Sequence, residues 1–312
     1  MKKNVNKIRW SKADMAYNVI NVTILGLLML LVLYPLYFVV IASISDPSAV
    51  GTGQVLFWPS GLNFDGYQRI FEYEMIWVGY RNSIIYAITG SFLSVSLTMT
   101  AGYVFTRNRM PGRKFFLALY TIPMFFNGGL IPTYLVVQGM NLVDNPLILI
   151  LLGAVSMYNI IITKTFIRSN IPEEMFEAAK IDGCGSIRYF FSVVIPLSKA
   201  IIAVLVVFSV VGQWNSYFNA LIYISNKAYY PLQLVIRDIL NTQTAMMQAL
   251  ETGSMGADAM MEIYRAESMK YGVIIVASLP MLMVYPFAQK YFTKGVMIGA
   301  VKGCLLYTSD AA

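Results

Sequence analysis

The feature that most constrains this sequence is a series of apolar runs, each long enough to cross a membrane. A helix needs about 20 apolar residues to span the hydrocarbon core. Six runs meet this length, at residues 17–44, 79–105, 114–137, 142–166, 198–222 and 272–293. Charged residues make up 12% of the chain, about half of the roughly 25% typical of soluble domains. The sequence therefore predicts an all-α integral membrane protein with six transmembrane helices.

The third run differs from the others because helix-breaking residues interrupt it. These are Pro123, Asn127, Gly128, Gly129 and Pro132. Helices are broken within membranes where the freed backbone groups are buried in protein or line a cavity. We therefore predict a break in the third span.

Basic residues indicate which ends of the runs face the cytoplasm. They cluster in the N-terminal arm, after the second run and around residues 172–196: Lys2, Lys3, Lys7, Arg9, Lys12, Arg107, Arg109, Arg113, Lys114, Lys164, Arg168, Lys180 and Arg188. The loops at the other ends are poorer in them, so the positive-inside rule places both termini in the cytoplasm. The first run is too long for the apolar region of a signal peptide, about 7–15 residues, and we expect it to stay in the protein.

The composition argues against cofactors and nucleic acid. The net charge of +7 lies mainly at the predicted membrane borders, where anionic lipid is the expected partner rather than nucleic acid. The chain has no histidine and two cysteines, Cys184 and Cys304. Zinc and haem sites therefore lack ligands. We expect no cofactor, no metal site and no catalytic residues.

Two other mechanisms are disfavoured by the residues inside the runs. A secondary carrier coupled to protons or sodium normally keeps ionisable residues within the membrane, and the cores of the six runs hold none. A membrane-embedded enzyme would need a catalytic grouping of His, Cys or Ser residues, and none is recognisable. The chain also lacks the GxxxxGK[ST] loop that holds ATP phosphates. Uphill transport would need energy from another protein.

The segment 172–196 is the most polar stretch between two apolar runs. Its sequence predicts a short helix with a polar face, broken by Gly183 and Gly185 and followed by Pro196 at the entry to the next run. Such a segment can lie along the membrane surface and present a compact knob to a partner. The alternative is an amphipathic linker in which Glu177 pairs with Lys180 or Arg188 of its own segment.

Four short motifs relate residues 79–303 to a known family. They are Glu177-Ala178-Ala179 with Gly183 and Pro196, Ile171-Pro172-Glu173-Glu174, Gly129-Leu130-Ile131-Pro132-Thr133-Tyr134, and Gly212-Gln213-Trp214-Asn215-Ser216-Tyr217. In these motifs the chain resembles the permease subunits of carbohydrate ABC importers of the maltose and complex-polysaccharide type, which are binding-protein-dependent inner membrane components. Val193 and Ile195 are conservative departures from the pattern.

The resemblance implies a type I ABC importer permease fold in a bacterial cell membrane, with a coupling helix that docks in a cleft of a separate ATPase. The residues implied in coupling are Glu173, Glu174, Glu177, Ala178, Ala179, Asp182, Gly183 and Pro196. It further implies a homologous second permease, two ATPase subunits and an extracytoplasmic sugar-binding protein as partners. A permease for another polar solute, and less readily a self-contained carrier, stay open as alternatives.

A path for sugars should be polar without being charged, since hydroxyls form hydrogen bonds and sugar faces stack on aromatic rings. The candidates come from the third, fourth and fifth runs: Asn127, Tyr134, Tyr158, Asn159, Gln213, Trp214, Asn215, Tyr217 and Asn219. Tyr and Trp also gather at membrane interfaces, and Asn and Gln also join neighbouring helices. Both readings are open for each residue.

The remaining segments complete the predicted organisation. Residues 1–16 form a cytoplasmic arm, 17–44 the first helix, 45–78 an extracytoplasmic loop, and 79–303 a five-helix core. Within the core, 172–196 is the coupling loop and 223–271 a long extracytoplasmic loop; in the family, the corresponding loop faces the binding protein. Residues 304–312 follow the point at which family members generally end, and we assign them no function.

Overall fold

The computed structural model describes residues 11–108, 110–126, 128–251, 269–286 and 289. Every regular element within these ranges is helical, which confirms the predicted all-α class. The chain divides into two compact units, residues 1–72 with 242–276 and residues 73–241 with 277–312. Asn127, the first ten residues of the arm and the tail at 304–312 lie outside the described residues.

The first unit is dominated by one long apolar helix. Its described helices are α1 (Lys12–Ser43), α2 (Pro47–Gly51) and α3 (Asp65–Glu72). A capping box starts α1: the Ser11 amide donates to the Asp14 carboxylate at 3.1 Å and the Asp14 amide to the Ser11 hydroxyl at 3.3 Å. Only 6% of the most apolar 18-residue stretch of α1 is buried. A helix that is apolar on all sides and so little covered is typical of a membrane span.

The second unit is built around α4 (Glu74–Thr106). Its other described elements are α5 (Arg113–Phe125), α6 (Leu130–Gly139), α7 (Leu147–Leu151), α8 (Met157–Asn170), α9 (Glu173–Ile181), α10 (Ser186–Tyr189), a π-turn (Phe190–Val194), α11 (Ile195–Leu197), α12 (Lys199–Trp214), α13 (Phe218–Tyr223) and a 3₁₀ turn (Lys227–Tyr229). Two helices cross from one unit to the other, α14 (Leu232–Glu251) and α15 (Met269–Pro286).

Helix α4 packs along its length against α8 and α12. Small residues permit the close approach. A Cβ added at Gly102 would lie 2.6 Å from Cγ2 of Thr163 on α8, and one at Gly90 would lie 2.7 Å from Nε2 of Gln213 on α12. Small residues at helix crossings are the usual means of close packing in membranes.

Three of the six predicted spans are single long helices, namely α1, α4 and α15. The other three are each divided, into α5 and α6, α7 and α8, and α12 and α13. The predicted break in the third run is found between Phe125 and Leu130. By length and apolarity alone three described helices could cross a membrane, or four if Ser186–Leu197 and Lys199–Trp214, bent by 81°, form one span. The count of six therefore stays a prediction.

Two buried apolar clusters lie at different positions along α4. The Tyr189 cluster contains Met99, Tyr103, Ile167, Ile171, Tyr189, Val194, Ile201 and Leu205. The Tyr223 cluster contains Tyr86, Val137, Ile148, Leu149, Ala220, Tyr223, Ile224 and Leu234. Helix α12 contributes to the first cluster and α13 to the second, so the fifth predicted span changes clusters where it is broken.

Candidate functional site

The predicted coupling segment forms helix α9, which a glycine turn ends. Two glutamates in its first turn and Lys180 in its last turn complement the helix dipole. Gly183 has φ of +75°. Its amide donates to the Lys180 carbonyl at 3.1 Å, and the Cys184 amide donates to the Ala179 carbonyl at 2.8 Å. These two bonds form a Schellman turn, which glycine adopts without strain.

Helix α9 has one face on the protein and one face in the open. Phe176 and Ala179 are half-buried and pack against the Tyr189 cluster. The exposed set is Glu173, Glu174, Met175, Glu177, Ala178, Lys180, Ile181, Asp182 and Gly183. Ile181 is 87% exposed, which is unusual for an isoleucine beside a buried core. The open face therefore offers carboxylates, a small residue and an apolar side chain together.

The alternative to docking was that Glu177 pairs with Lys180 or Arg188 of its own segment. The side chain is exposed, and among the described residues no hydrogen bond or ion pair is found that joins it to Lys180 or Arg188. The two alanines of the motif have different environments, since Ala178 is exposed and Ala179 packs inward. Of the two, only Ala178 is on the surface that a partner could approach.

Two residues that directly follow α4 contact α9, one at the half-buried Phe176 and one at the exposed Glu173. The Arg107 guanidinium carbon lies 4.3 Å from the centre of the Phe176 ring. Asn108 donates from Nδ2 to both carboxylate oxygens of Glu173, at 3.0 and 3.3 Å, and accepts from Arg113 Nη1 at 2.7 Å. Neither Arg107 nor Asn108 was among the predicted coupling residues, because nothing in the local sequence shows that they meet α9.

Pro196 lies where the chain turns from the coupling segment into α12. A π-turn over Phe190–Val194 precedes it, and the path bends by 81° between Ser186–Leu197 and Lys199–Trp214. A proline has no amide hydrogen to give to the preceding turn, so a widened turn at this point fits its chemistry. Pro196 itself is exposed.

Three of the predicted path residues line one cavity of about 250 Å³. They are Asn159 from α8, Gln213 from α12 and Asn219 from α13. The rest of the lining consists of Ser94, Leu152, Gly153, Phe208, Ser209, Gly212 and Ser216. Among the residues that the structure describes, no charged side chain lines this cavity. The three serines were not among the predicted path residues: Ser94 and Ser209 are isolated serines in apolar runs and carry no motif, and Ser216 belongs to the motif at 212–217 but was not selected from it.

Two further candidates, Trp214 and Asn215, line a different cavity of about 380 Å³ with Gln233 and residues of α15. Trp214 is 2% exposed and donates from its indole to the Ala277 carbonyl at 3.2 Å. Asn215 donates from Nδ2 to the Val211 carbonyl of its own helix at 3.0 Å. Both side chains therefore already have polar partners within the chain.

The remaining tyrosine candidates line neither of these cavities. Tyr134 stacks on Tyr223, with ring centres 5.9 Å apart and an interplanar angle of 15°. Tyr158 is exposed. Tyr217 lies in the break between α12 and α13, with the Arg237 guanidinium carbon 5.1 Å from its ring centre. The predicted set is thus divided rather than gathered at one point.

The loop after α13 is tied to α4 and to the loop before α7. Asp144, with φ of +59°, accepts from the amides of Ser225 and Asn226, both at 2.9 Å. Asn82 of α4 donates to the carbonyls of Ala228 and Tyr230, at 2.8 and 3.0 Å. Asp144 lies near the start of the fourth apolar run, and its carboxylate organises this loop.

Comparison with known proteins identifies the family. The family described as "Binding-protein-dependent transport system inner membrane component" matches residues 11–298. The chain belongs to this family. The permease is thus a transport subunit of the inner membrane, and the prediction that it is not an enzyme is confirmed. Membership implies ATPase and binding-protein partners in general.

Similar proteins cover nearly the whole permease. Protein LplC of Bacillus subtilis (strain 168) is 35% identical over 293 residues, which are 94% of the permease and 97% of that protein. The polygalacturonan/rhamnogalacturonan transport system permease protein YtcP of the same strain is 35% identical over 277 residues, 88% of the permease and 94% of that protein. A crystal structure of a bacterial ABC transporter involved in the import of the acidic polysaccharide alginate has a chain that matches with a TM-score of 0.81 and 28% identity, over 92% of the permease and 100% of that chain.

Proposed function

We propose that the permease forms half of the translocation path of an ATP-driven importer for a sugar or oligosaccharide. A homologous second permease forms the other half, a binding protein delivers the solute from outside, and ATPase subunits act on the cytoplasmic side. The observation that carries this proposal is the uncharged polar cavity between α4, α8, α12 and α13 in a chain of this family.

The lining of the cavity suits a neutral, hydroxyl-rich solute. Side-chain amides of Asn159, Gln213 and Asn219 offer both donors and acceptors, and the three serines add hydroxyls. Such groups are costly in an apolar span unless a partner or water satisfies them. Sugar hydroxyls match them without requiring a charged group. Among the similar proteins, one is named as a polygalacturonan/rhamnogalacturonan permease and one as a galactooligosaccharides permease, and the solved transporter is involved in the import of alginate.

Helix α9 is the part of the permease that we assign to the ATPase. Its exposed face combines Glu174, Glu177, Ala178 and Ile181, while its inner face is fixed to the Tyr189 cluster. A small residue permits close approach, and the carboxylates offer partners to basic groups on the ATPase. Gly183 supplies the turn that returns the chain to the membrane.

The proposed topology has six spans with both termini in the cytoplasm. The three divided helix pairs then each cross once, and the breaks lie in protein rather than in lipid, as backbone hydrogen bonding requires. Basic residues at the cytoplasmic ends contact anionic lipid. The segment 172–196 then faces the ATPase, and the loop 223–271 faces the binding protein.

The direct test is uptake by vesicles that contain the whole importer. Labelled raffinose, maltotriose and digalacturonate serve as sugars, and a labelled dipeptide serves as a different polar solute. We expect uptake of at least one sugar only when ATP, the ATPase and the binding protein are all present. Uptake of the dipeptide alone would support the alternative of another polar solute. Uptake driven by an ion gradient without the ATPase would support a secondary carrier.

A matched pair of variants tests the cavity. Gln213→Met removes an amide from the lining, and Gln138→Met makes the same change at an exposed position outside it. An unpaired polar group opposite an apolar side chain costs about 1–3 kcal/mol. We expect reduced sugar uptake for Gln213→Met at normal membrane abundance, and unchanged uptake for Gln138→Met. Equal uptake by both variants would contradict the assignment of the cavity.

A further inference from the structure

We propose that Arg107 is the positioning residue that couples helix α9 to helix α4, so that movement of the ATPase passes directly into the longest helix beside the cavity. This proposal rests on the proposed docking of α9, and it goes beyond docking because it names the contact through which the movement leaves the coupling helix. It requires that Arg107 hold α9 and α4 together as one body.

Three aromatic rings from three different elements surround the Arg107 guanidinium. Its central carbon lies 4.3 Å from the ring centre of Phe176 on α9, 4.8 Å from that of Tyr103 on α4 and 6.0 Å from that of Tyr189 on α10. A guanidinium within about 6 Å of a ring centre is attracted by the ring face. One side chain therefore binds the end of α4 to both helices of the coupling segment.

The three rings, Tyr103, Phe176 and Tyr189, form an aromatic box around the guanidinium, and further ring contacts support it. Phe176 and Tyr189 meet edge to face with centres 5.1 Å apart, and Tyr103 lies 5.1 Å from Phe190. The Tyr103 hydroxyl donates to the Ser186 carbonyl at 3.3 Å. Tyr189 is 1% exposed, so the box is part of the buried core rather than a surface feature.

The guanidinium itself lacks conventional partners on its inner side. Its Nε donates to the Thr106 hydroxyl at 3.2 Å, and its Nη1 is buried with no hydrogen-bond partner among the described residues. Leaving a buried charged donor unpaired is unfavourable. The ring faces are the groups that compensate it here, through cation–π contacts. A planar guanidinium can stack on several rings at once, which an ammonium group cannot do.

A second link strengthens the same connection. Glu173, which accepts from Asn108, and Phe176 are three residues apart and therefore lie on one face of α9. Arg107 and Asn108 directly follow the last residue of α4, Thr106. About 18 Å along α4 from this end, at a rise of 1.5 Å per residue, lies Ser94 in the cavity lining. A displacement of α9 is thus imposed on a rigid helix that reaches the cavity.

The test separates this coupling role from a role in folding. Vesicles contain the whole importer with Ser216→Cys in the cavity lining as a probe and the two native cysteines replaced by serine. Labelling of the probe by a thiol reagent is compared with and without ATP and vanadate, and retention of the ATPase is measured in parallel. The variants are Arg107→Gln, Arg107→Lys, Phe176→Leu and the double change. Arg168→Gln removes an exposed arginine elsewhere and serves as the control.

We expect Arg107→Gln and Phe176→Leu to retain the ATPase. The ATP-dependent change in labelling should be smaller by about fivefold or more, which is the range that the loss of a desolvated cation–π contact allows. The double variant should be no worse than Arg107→Gln alone, because that change already removes the contact between Arg107 and Phe176. Arg107→Lys should be intermediate, and Arg168→Gln should behave as the wild type.

Three outcomes overturn the proposal. A normal ATP-dependent response in Arg107→Gln removes the coupling role. A second outcome is that abundance and ATPase retention fall in proportion to the lost response, and that the effects of the two single changes add up in the double variant. This outcome shows that the box only supports folding. If the unmodified importer retains no ATPase or shows no ATP-dependent response, the proposed docking of α9 fails and this inference fails with it. The assay needs no sugar, so it is independent of the identity of the solute.

Discussion

Gly183 has two possible reasons to be glycine, and substitutions can separate them. The first reason is its φ of +75°, which closes the turn after α9. The second is space for a docked ATPase. Among the described residues, nothing lies within 4 Å of a Cβ built at this position. A β-carbon added there therefore meets no described atom of the permease, and we expect membrane abundance to stay near normal in every variant.

The two reasons predict opposite orders of uptake for the Gly183→Ala and Gly183→Asn variants. A left-handed backbone costs most L-residues roughly 1–2 kcal/mol, a change of about 5- to 30-fold in an equilibrium. Asparagine adopts this conformation more readily than alanine. If only the turn matters, Gly183→Asn is milder than Gly183→Ala. If a tight cleft receives the turn, the larger asparagine is worse, and Gly183→Asp, which also adds a charge to be desolvated, abolishes uptake.

We expect the order required by docking, with uptake falling from glycine to alanine, then asparagine, then aspartate. The assay is ATP-driven sugar uptake by the whole importer, with pull-down of the ATPase and membrane abundance as companions. Asparagine and aspartate are nearly equal in size, so the difference between them isolates the charge. Wild-type uptake by Gly183→Asp, or better uptake by the asparagine than by the alanine variant, would refute the docking of this turn.

Further predictions concern topology, the cavity and packing. An impermeant thiol reagent should label Lys227→Cys in intact cells and native Cys184 only after permeabilisation, since the positive-inside rule places them on opposite sides; labelling of Cys184 in intact cells would reverse the topology. Gln213→Leu should reduce uptake more than Asn215→Leu, because the Asn215 amide already has a backbone partner at 3.0 Å; the reverse order, at equal membrane abundance, would contradict this. Gly102→Ala should lower membrane abundance, because its methyl group would lie 2.6 Å from a threonine side chain and overpacking costs about 1–3 kcal/mol; normal abundance would contradict the close helix contact.

Patterns that are local in sequence predicted most of the helices. The apolar runs, the break near Gly129 and the helix that ends before Gly183 all depend on neighbouring residues, and the structure contains each of them. The division of the other two runs was not predicted. Gly153 in the fourth run has positive φ between α7 and α8, and the break after Trp214 has neither glycine nor proline. Asn215 and Ser216 at that second point favour a turn, but their signal in the sequence is weaker than that of glycine or proline.

Contacts between residues that are far apart in the chain could not be predicted from the sequence. Arg107 meets Phe176 and Tyr189 across about 70 to 80 residues, and no period or motif connects them. Trp214 shows the opposite problem. Its motif suggested a place on the path, whereas its indole is buried and bonded to Ala277. The residue type indicated a need for a polar partner, and only the fold determined that the partner is a backbone carbonyl.

The break between α12 and α13 has a mechanical consequence. Helix α12 packs into the Tyr189 cluster and α13 into the Tyr223 cluster. The two helices are therefore separate segments, and the break between them can serve as a joint. Gln213 lies just before the joint and Asn219 just after it, and both line the same cavity. A change of angle at the joint therefore reshapes the wall around the solute. Helix α13 is held at its far end, because the Asp144 amide donates to the Tyr223 carbonyl at 2.7 Å.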